Sequence, residues 1–380
     1  MKRVALYALL LCHPAQTAFG EDSLFVATAQ RGIAKVYNLE FEKAEEEFVK
    51  LTQMQPTHPA GLFFLAMVDW WRIMIDIVNE EYDDRFVSAL NKVIDLCDER
   101  LDKNENDVTA LFFKGGALGF KGRLRFHRDD WFAAADAGRK ALPIVQDASA
   151  SDPNNFDIFL GTGIYNYYAA VIPELYPMAK PLLLFIPHGD REKGIRQLKL
   201  AAEKGTYGRV ESAYFLMQLY YQYEKRYNDA LAIAQQLHEQ FPNNMLFHKY
   251  LGRCYVVLSN WDSARVVFGE VVVRGAKGFR GYNASTLREA EYYLGLDNLL
   301  GGHFEEAVGH FIRCDDLSRR LDADGPSGFM VMANLKLGNA YDAQSKRELA
   351  MQQYHKVLDM KEYQKSHDQA DHYLTTPYFQ

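Results

Sequence analysis

A recurring frame of small and aromatic residues in the C-terminal half constrains this chain more than any other feature. Gly252 precedes Ala264 by twelve residues, and Phe268 follows that alanine by four. The same spacing recurs twice: Gly295, Ala307 and Phe311; Gly338, Ala350 and Tyr354. A glycine and an alanine at this spacing leave room where two short helices cross at close range, while large side chains fill the surrounding space. The frame therefore predicts a stack of helical hairpins.

Two further copies of the frame lie upstream. The residues that fit them are Tyr221, Ala230 and Pro242, and, near the start, Gly32, Ala44, Phe48 and Pro56. The alanines at 230, 264, 307 and 350 lie 34, 43 and 43 residues apart. A period of 34 residues is that of the tetratricopeptide (TPR) repeat. The longer steps indicate longer loops or helices extended by about two turns.

These residues resemble the TPR family, most closely over 28–56 and 211–358. Residues 57–210 have the pattern of degenerate hairpins, and strand signals are nearly missing. The resemblance implies an all-α fold, a right-handed α-solenoid of about seven to eight TPR-like hairpins. We expect one superhelical domain over residues 21–380.

Residues 1–20 have the features of a secretory signal peptide. Two basic residues precede an apolar run that is too short to span a bilayer, and Ala18 and Gly20 mark a cleavage site. A lipoprotein signal ending at Cys12 is an alternative, disfavoured because a leucine, not a small residue, precedes the cysteine. We expect export to the periplasm or the extracellular space.

The charge of the chain argues against nucleic-acid binding. Its net charge is −7, and it becomes −9 without the signal-peptide residues Lys2 and Arg3. Neutralising phosphates requires clustered lysine and arginine, and no basic stripe occurs in the sequence.

The cysteines Cys97, Cys254 and Cys314 are few, odd in number and widely spaced. They are typical of buried thiols rather than of a disulfide framework.

An apolar insert interrupts the repeats at residues 169–187. It contains four prolines, which forbid one straight membrane helix. Two interpretations remain open: a plug that folds back into the superhelix, or an element that binds a partner or a membrane surface.

A second resemblance covers residues 160–204. It is carried by Gly161 and Gly163, the Pro-rich insert, and the run Gly189-Asp190-Arg191 followed by Gly194. This combination resembles the tetratricopeptide-repeat-39 and inclusion-body-clearance group. The resemblance implies a membrane-associated or scaffold role without enzyme activity.

In the TPR family, one face of each first helix lines a concave groove. The family frame predicts these partner-binding residues: Phe215, Leu219, Tyr223, Lys249, Arg253, Tyr292, Leu296 and Asn339. The carboxylate clamp of the chaperone-binding members is incomplete, because Phe215 and Tyr292 stand where the clamp has lysine. An aromatic groove with a basic spot at Lys249 and Arg253 suits an extended or helical peptide with an acidic group. The chain's own tail filling the groove is the alternative.

Catalytic and metal-binding motifs are scarce. His238-Glu239 begins like a zinc-protease motif, but Phe241 and Pro242 follow where the second histidine belongs, so we interpret it as a helix end. The spacing of four residues near the C-terminus could hold a metal, although a solvated polar tail is favoured: His367, Asp368, Asp371 and His372. We expect no enzyme activity, no cofactor and no metal.

The sequence thus predicts a non-enzymatic exported scaffold that binds a protein or peptide partner in its concave groove. The alternative is an envelope assembly or membrane-surface factor that acts through residues 169–187. The repeats encode packing and leave the groove residues free to vary, so the partner's identity does not follow from them.

Overall fold

The computed structural model describes residues 23–175 and 187–378. Within these ranges there are seventeen α-helices and no strand. Their bounds are α1 (Ser23–Tyr37), α2 (Phe41–Met54), α3 (Ala60–Ile75), α4 (Asp83–Leu101), α5 (Val108–His127), α6 (Trp131–Ser151), α7 (Ile158–Leu175), α8 (Arg191–Lys204), α9 (Arg209–Gln222), α10 (Tyr227–Gln240), α11 (Met245–Val257), α12 (Trp261–Ala276), α13 (Ala284–Leu300), α14 (Phe304–Leu321), α15 (Gly328–Ala343), α16 (Arg347–Leu358) and α17 (Ser366–Thr375). The predicted all-α class is confirmed.

Consecutive helices pack in pairs, so the described residues form eight hairpins from α1–α2 to α15–α16, followed by α17. Each hairpin packs on the next, as expected for an α-solenoid. The helices α10 and α11 have 14 and 13 residues, whereas α13 and α14 have 17 and 18. Longer helices therefore account for part of the wider repeat spacing in this region.

Each of the best repeats is closed by a glycine that packs against an aromatic ring. A Cβ atom on Gly252 would lie 2.6 Å from the ring of Phe268, and one on Gly295 would lie 2.7 Å from the ring of Phe311. Gly32 and Gly338 face Phe48 and Tyr354 in the same way. The aromatic residue of the second helix therefore fills the space that the glycine of the first helix leaves open. This geometry is TPR-like.

The predicted insert begins later in the structure than in the sequence analysis. Residues 169–175 continue α7, which includes Pro173 in its last turn. A proline there removes one backbone hydrogen bond close to the end of the helix, where the loss is small. The helix α8 begins after Asp190, whose side chain accepts a hydrogen bond of 2.8 Å from the backbone N–H of Lys193. Residues 176–186, like the predicted signal peptide at 1–20, lie outside the described residues.

None of the described helices combines the length and the apolar character that a membrane crossing requires.

A buried cluster holds the first hairpins against the second half of the superhelix. The guanidinium of Arg123 on α5 lies 4.7 Å from the ring centre of Trp70 on α3 and 4.6 Å from that of Phe215 on α9. It also donates a hydrogen bond to Glu211 on α9. Glu211 in turn accepts a hydrogen bond of 2.7 Å from the hydroxyl of Tyr37 on α1. The first helices of four different hairpins, α1, α3, α5 and α9, therefore meet at one ion pair.

Hydrogen bonds from side chains in the turns also join the first hairpins to the second half of the superhelix. The amide of the buried Asn244 donates to the carbonyl of Tyr37 at 2.8 Å, and the amide of Asn283 donates to the carbonyl of Ile75 at 3.0 Å. Tyr37 and Ile75 are the last residues of α1 and α3, where carbonyls have no partner within the helix. Side chains from turns more than 200 residues away therefore cap two of the first helices.

The glycine packing gives a paired prediction. Gly252→Ala puts a methyl group against the buried ring of Phe268, and we expect a loss of about 1–3 kcal/mol in the free energy of unfolding. Gly269→Ala, in the partner helix, meets nothing within 4 Å and is expected to gain about 0.5–1 kcal/mol. Urea unfolding followed by circular dichroism measures both changes. Equal effects of the two substitutions would contradict the packing argument.

Candidate functional site

The eight predicted groove residues lie on four successive first helices. Phe215 and Leu219 are on α9, with Tyr223 directly after it; Lys249 and Arg253 are on α11, Tyr292 and Leu296 on α13, and Asn339 on α15. Four of their side chains are buried, those at 215, 219, 249 and 339, and the other four are half-buried. Contact of any of them with a partner stays a prediction.

The α9 end of the predicted groove is closed by the protein itself. The ring of Phe215 is 7 % exposed and is covered by the guanidinium of Arg123. Leu219 is fully buried in the same core. The rings of Tyr214 on α9 and Trp71 on α3 lie 6.0 Å apart, so α3 and α9 pack directly together. A partner therefore reaches Phe215 only if the first hairpins move away.

The predicted basic spot carries its own counter-charge. Arg253 donates two hydrogen bonds to Glu289 on α13, and the Nζ atom of Lys249 lies 3.5 Å from the Oε2 atom of the same carboxylate. Burial alone would raise the pKa of Glu289, but the charges of Arg253 and Lys249 outweigh it and hold the pKa below its usual value. Burial lowers the pKa of Lys249, and the charge of Glu289 opposes this shift. An acidic group on a partner would have to compete with Glu289.

A set of tyrosines connects α7, α9 and α11. The ring of Tyr223 lies 5.9 Å from that of Tyr168, and the amide of Gln222 donates to the hydroxyl of Tyr250 at 2.8 Å. The guanidinium of Arg253 lies 5.2 Å from the ring centre of Tyr250. We call Tyr168, Tyr223, Tyr250 and Arg253 the tyrosine surface. Burial raises the pKa of Tyr168 far above its usual value, so this phenol stays protonated and can donate a hydrogen bond.

Residues 376–378 pack on an apolar cluster that two of the predicted groove residues also contact. Tyr292, Leu296 and Tyr378 all pack on one apolar cluster of α13, α14 and α15. The backbone N–H of Tyr378 donates to the Oδ2 atom of Asp342 on α15 at 3.0 Å. Thr376 has an extended backbone conformation, so a short non-helical segment crosses this surface.

Asn339 differs from the other predicted groove residues because its polar atoms are unpaired. Its side chain is fully buried, and neither the Nδ2 nor the Oδ1 atom has a hydrogen-bond partner. By contrast, the buried amide of Asn334 on the same helix donates to Asp315 at 2.6 Å. A buried amide without partners costs free energy, so Asn339 marks a point where an added polar group would stabilise the protein.

The structure brings together one group of potential metal ligands within the described ranges, and it is not the C-terminal set for which a solvated tail was favoured. His238, His248 and Glu270 place three ligand atoms within 4.8 Å of one another. In the C-terminal helix, the Nε2 atom of His367 lies 2.9 Å from the carbonyl oxygen of Met360 instead. His238 lies at the end of α10, as the sequence predicts, but its two neighbours come from α11 and α12, which the pattern within one helix does not indicate.

Three thiols that the sequence predicts to be buried are buried. Cys97, Cys254 and Cys314 are unpaired and have no exposed surface. Desolvation raises the pKa of each thiol to about 12. They therefore remain protonated near neutral pH, a state in which a thiol is neither a nucleophile nor a metal ligand.

No protein-family model matches the chain, and no curated protein matches it. Among solved structures, it is similar to yeast Tom70, with 14 % identity, coverage of 92 % of this chain and 88 % of that one, and a TM-score of 0.40.

Two further similar structures are a TPR repeat-containing protein and IFIT1. The first is the C-terminal part of a protein from Cytophaga hutchinsonii, at 16 % identity, covering 77 % of this chain and 95 % of that one, with a TM-score of 0.38. The second is a monomeric mutant of IFIT1 with Gppp-AAAA. It has 13 % identity, covers 94 % of this chain and 79 % of that one, and has a TM-score of 0.33. The resemblance of residues 160–204 to the tetratricopeptide-repeat-39 group stays a prediction.

The charge cluster on α11 and α13 gives a testable stability difference. Glu289→Ala leaves the buried Lys249 and the half-buried Arg253 without their counter-ion, and we expect a loss of about 3–5 kcal/mol in the free energy of unfolding at neutral pH. Because the pKa of Glu289 is lowered from 4.5, its contribution is present above pH 4.5 and is lost as the pH falls further. Urea unfolding over a pH series measures the difference between variant and wild type, which should shrink in acid.

Asp229→Ala is the matched control for this prediction. Asp229 pairs with Arg226 at 2.7 Å, but both side chains are more than 40 % exposed. An exposed pair of this kind contributes below about 1 kcal/mol. A Glu289→Ala variant as mildly affected as Asp229→Ala would show that the cluster does not stabilise the fold.

Proposed function

We propose that this protein is a non-enzymatic scaffold that holds an extended segment of a protein partner on its first helices between α9 and α15. The stack of TPR-like hairpins provides a long surface with little capacity for movement within each repeat. The proposal does not involve the Phe215 end of the predicted groove, which the first hairpins cover.

The packing of residues 376–378 is the observation that carries the proposal. Three features of this segment support the proposal: an extended backbone at Thr376, one N–H donated to Asp342, and one aromatic side chain on the apolar cluster that Tyr292 and Leu296 also contact. A partner segment with the same features would make the same contacts. We infer that it carries a large apolar side chain and binds without an obligatory acidic group, because Glu289 already neutralises part of the basic spot.

The tyrosine surface extends this site toward α7. Tyrosine suits a binding surface because its ring packs against apolar groups while its hydroxyl forms hydrogen bonds. Tyr223 and Arg253 are both half-buried, so they keep some surface for a partner while their own contacts hold them in place. Side chains fixed in advance lose little conformational freedom on binding.

We further propose that the protein acts outside the cytoplasm, on the strength of the signal-peptide features of residues 1–20. The alternative, a membrane-surface factor that acts through residues 169–187, also stays a prediction. Residues 169–175 belong to α7, and 176–186 lie outside the described residues.

Two charge substitutions test the binding site. Leu296→Glu puts a carboxylate on the half-buried cluster of α13, and we expect partner affinity to fall about tenfold or more, which corresponds to about 1.4 kcal/mol. Val266→Glu is the matched control, because Val266 on α12 is 71 % exposed and lies on a second helix. The partner is first captured by crosslinking mass spectrometry in the native host, and the affinity of each variant is then measured by calorimetry.

The proposal fails if the partner binds Leu296→Glu and wild type equally well while Val266→Glu binds more weakly. Circular dichroism of both variants confirms that each is folded before binding is measured.

A further inference from the structure

Three potential metal ligands converge from three consecutive helices, and none of the three is a residue that the proposed function uses. His238 lies in the last turn of α10, His248 in the first turn of α11 and Glu270 in the middle of α12. Their ligand atoms lie within 4.8 Å of one another. The two imidazole rings stack, with centroids 4.3 Å apart and planes inclined by 15°.

The central ligand, His248, is fully buried, and only one of its two ring nitrogens has a hydrogen-bond partner. Its Nδ1 atom lies 3.0 Å from the hydroxyl oxygen of Tyr282, whereas its Nε2 atom is buried without a hydrogen-bond partner. The nearest charged atom is the Oε2 of Glu270 at 3.7 Å, which is too long for a hydrogen bond. If Nε2 carries the proton, this donor lacks an acceptor. If Nδ1 carries it, two electron-rich atoms face each other, and a cation between them would satisfy both.

Glu270 presents one oxygen to this gap. The Nε and Nη2 atoms of Arg274 both donate to its Oε1, at 2.9 and 2.6 Å, which leaves Oε2 toward His248. His238 contributes a buried Nδ1 atom that also has no hydrogen-bond partner. Two unpaired imidazole nitrogens and one carboxylate oxygen therefore face a common space.

We propose that His238, His248 and Glu270 form a Zn²⁺ site that ties α10, α11 and α12 together. Two imidazoles and one carboxylate are a ligand set that zinc uses, with a fourth position left for solvent. Tyr282 acts as a positioning residue: its hydroxyl lies 3.0 Å from the Nδ1 atom of His248. When this hydroxyl accepts the Nδ1–H, the lone pair is on Nε2 and faces the ion.

Binding requires a small rearrangement that the structure permits. A metal ion lies in the plane of each imidazole ring that binds it. Because the rings of His238 and His248 are stacked and nearly parallel, no nearby position lies in both ring planes. The ring of His238 therefore has to turn. It is half-exposed at the end of α10, and Glu270 is 45 % exposed, so both can adjust around the fixed His248. The charge of Arg274 opposes the ion, and the carboxylate of Glu270 offsets it.

Calorimetric titration of the untagged full-length protein with ZnCl₂ tests the proposal. We expect one site in the wild type, and affinity at least about tenfold weaker in His238→Ala and in Glu270→Gln. Neither substitution removes a fully buried side chain, so both variants are expected to fold. His355→Ala, which removes an exposed histidine from α16, is the matched control and should bind as wild type does.

A second measurement separates this site from adventitious zinc on the surface. Zinc that binds the native state raises the thermal unfolding midpoint, and this rise should occur in wild type and His355→Ala but not in the two site variants. Equal affinity and an equal rise in the double variant His238→Ala/Glu270→Gln would overturn the proposal, as would no zinc binding by the wild type.

Discussion

The buried ion pair between Arg123 and Glu211 is the interaction on which the shape of the first half depends. Removing two charges from water is costly, and the pair is favourable only where further contacts compensate. Here Trp70 and Phe215 flank the guanidinium, and the hydroxyl of Tyr37 donates to the carboxylate. Because these partners come from α1, α3, α5 and α9, the pair is satisfied only when all four helices are in place. It therefore couples hairpins that a regular solenoid leaves apart.

This coupling explains which part of the fold could be predicted from the sequence. The contact between Gly252 and Phe268 is local, since sixteen residues separate them, and a regular spacing reveals it. The contact between Tyr37 and Glu211 spans 174 residues and follows no period. The helix on which Phe215 lies was predicted correctly. The burial of the Phe215 side chain, however, depends on the non-periodic contacts.

The same distinction applies to the polar sites. Lys249 and Arg253 were recognised as a basic spot, while Glu289, 36 residues beyond Arg253, was not weighed against them. That separation is about one repeat. A residue one repeat further along lies on the first helix of the next hairpin, so the repeat spacing itself indicates Glu289 as a neighbour of Arg253. His238, His248 and Glu270 were missed because each lies on a different helix. A motif search within one helix does not find such a set, although the two histidines are only ten residues apart in the sequence, with one tight turn between their helices.

The C-terminal segment shows how a partner could be admitted at little cost. Asp342 accepts the N–H of Tyr378, but it also accepts hydrogen bonds from Arg347 at 2.9 Å and from the hydroxyl of Tyr354 at 2.8 Å. When Tyr378 leaves, this carboxylate therefore remains paired, and no buried charge is left alone. The main cost is the exposure of one aromatic ring, which an apolar side chain of the partner would cover again. Since a partner's apparent affinity scales with the fraction of molecules in which the surface is open, the packing of Tyr378 would set the threshold for binding.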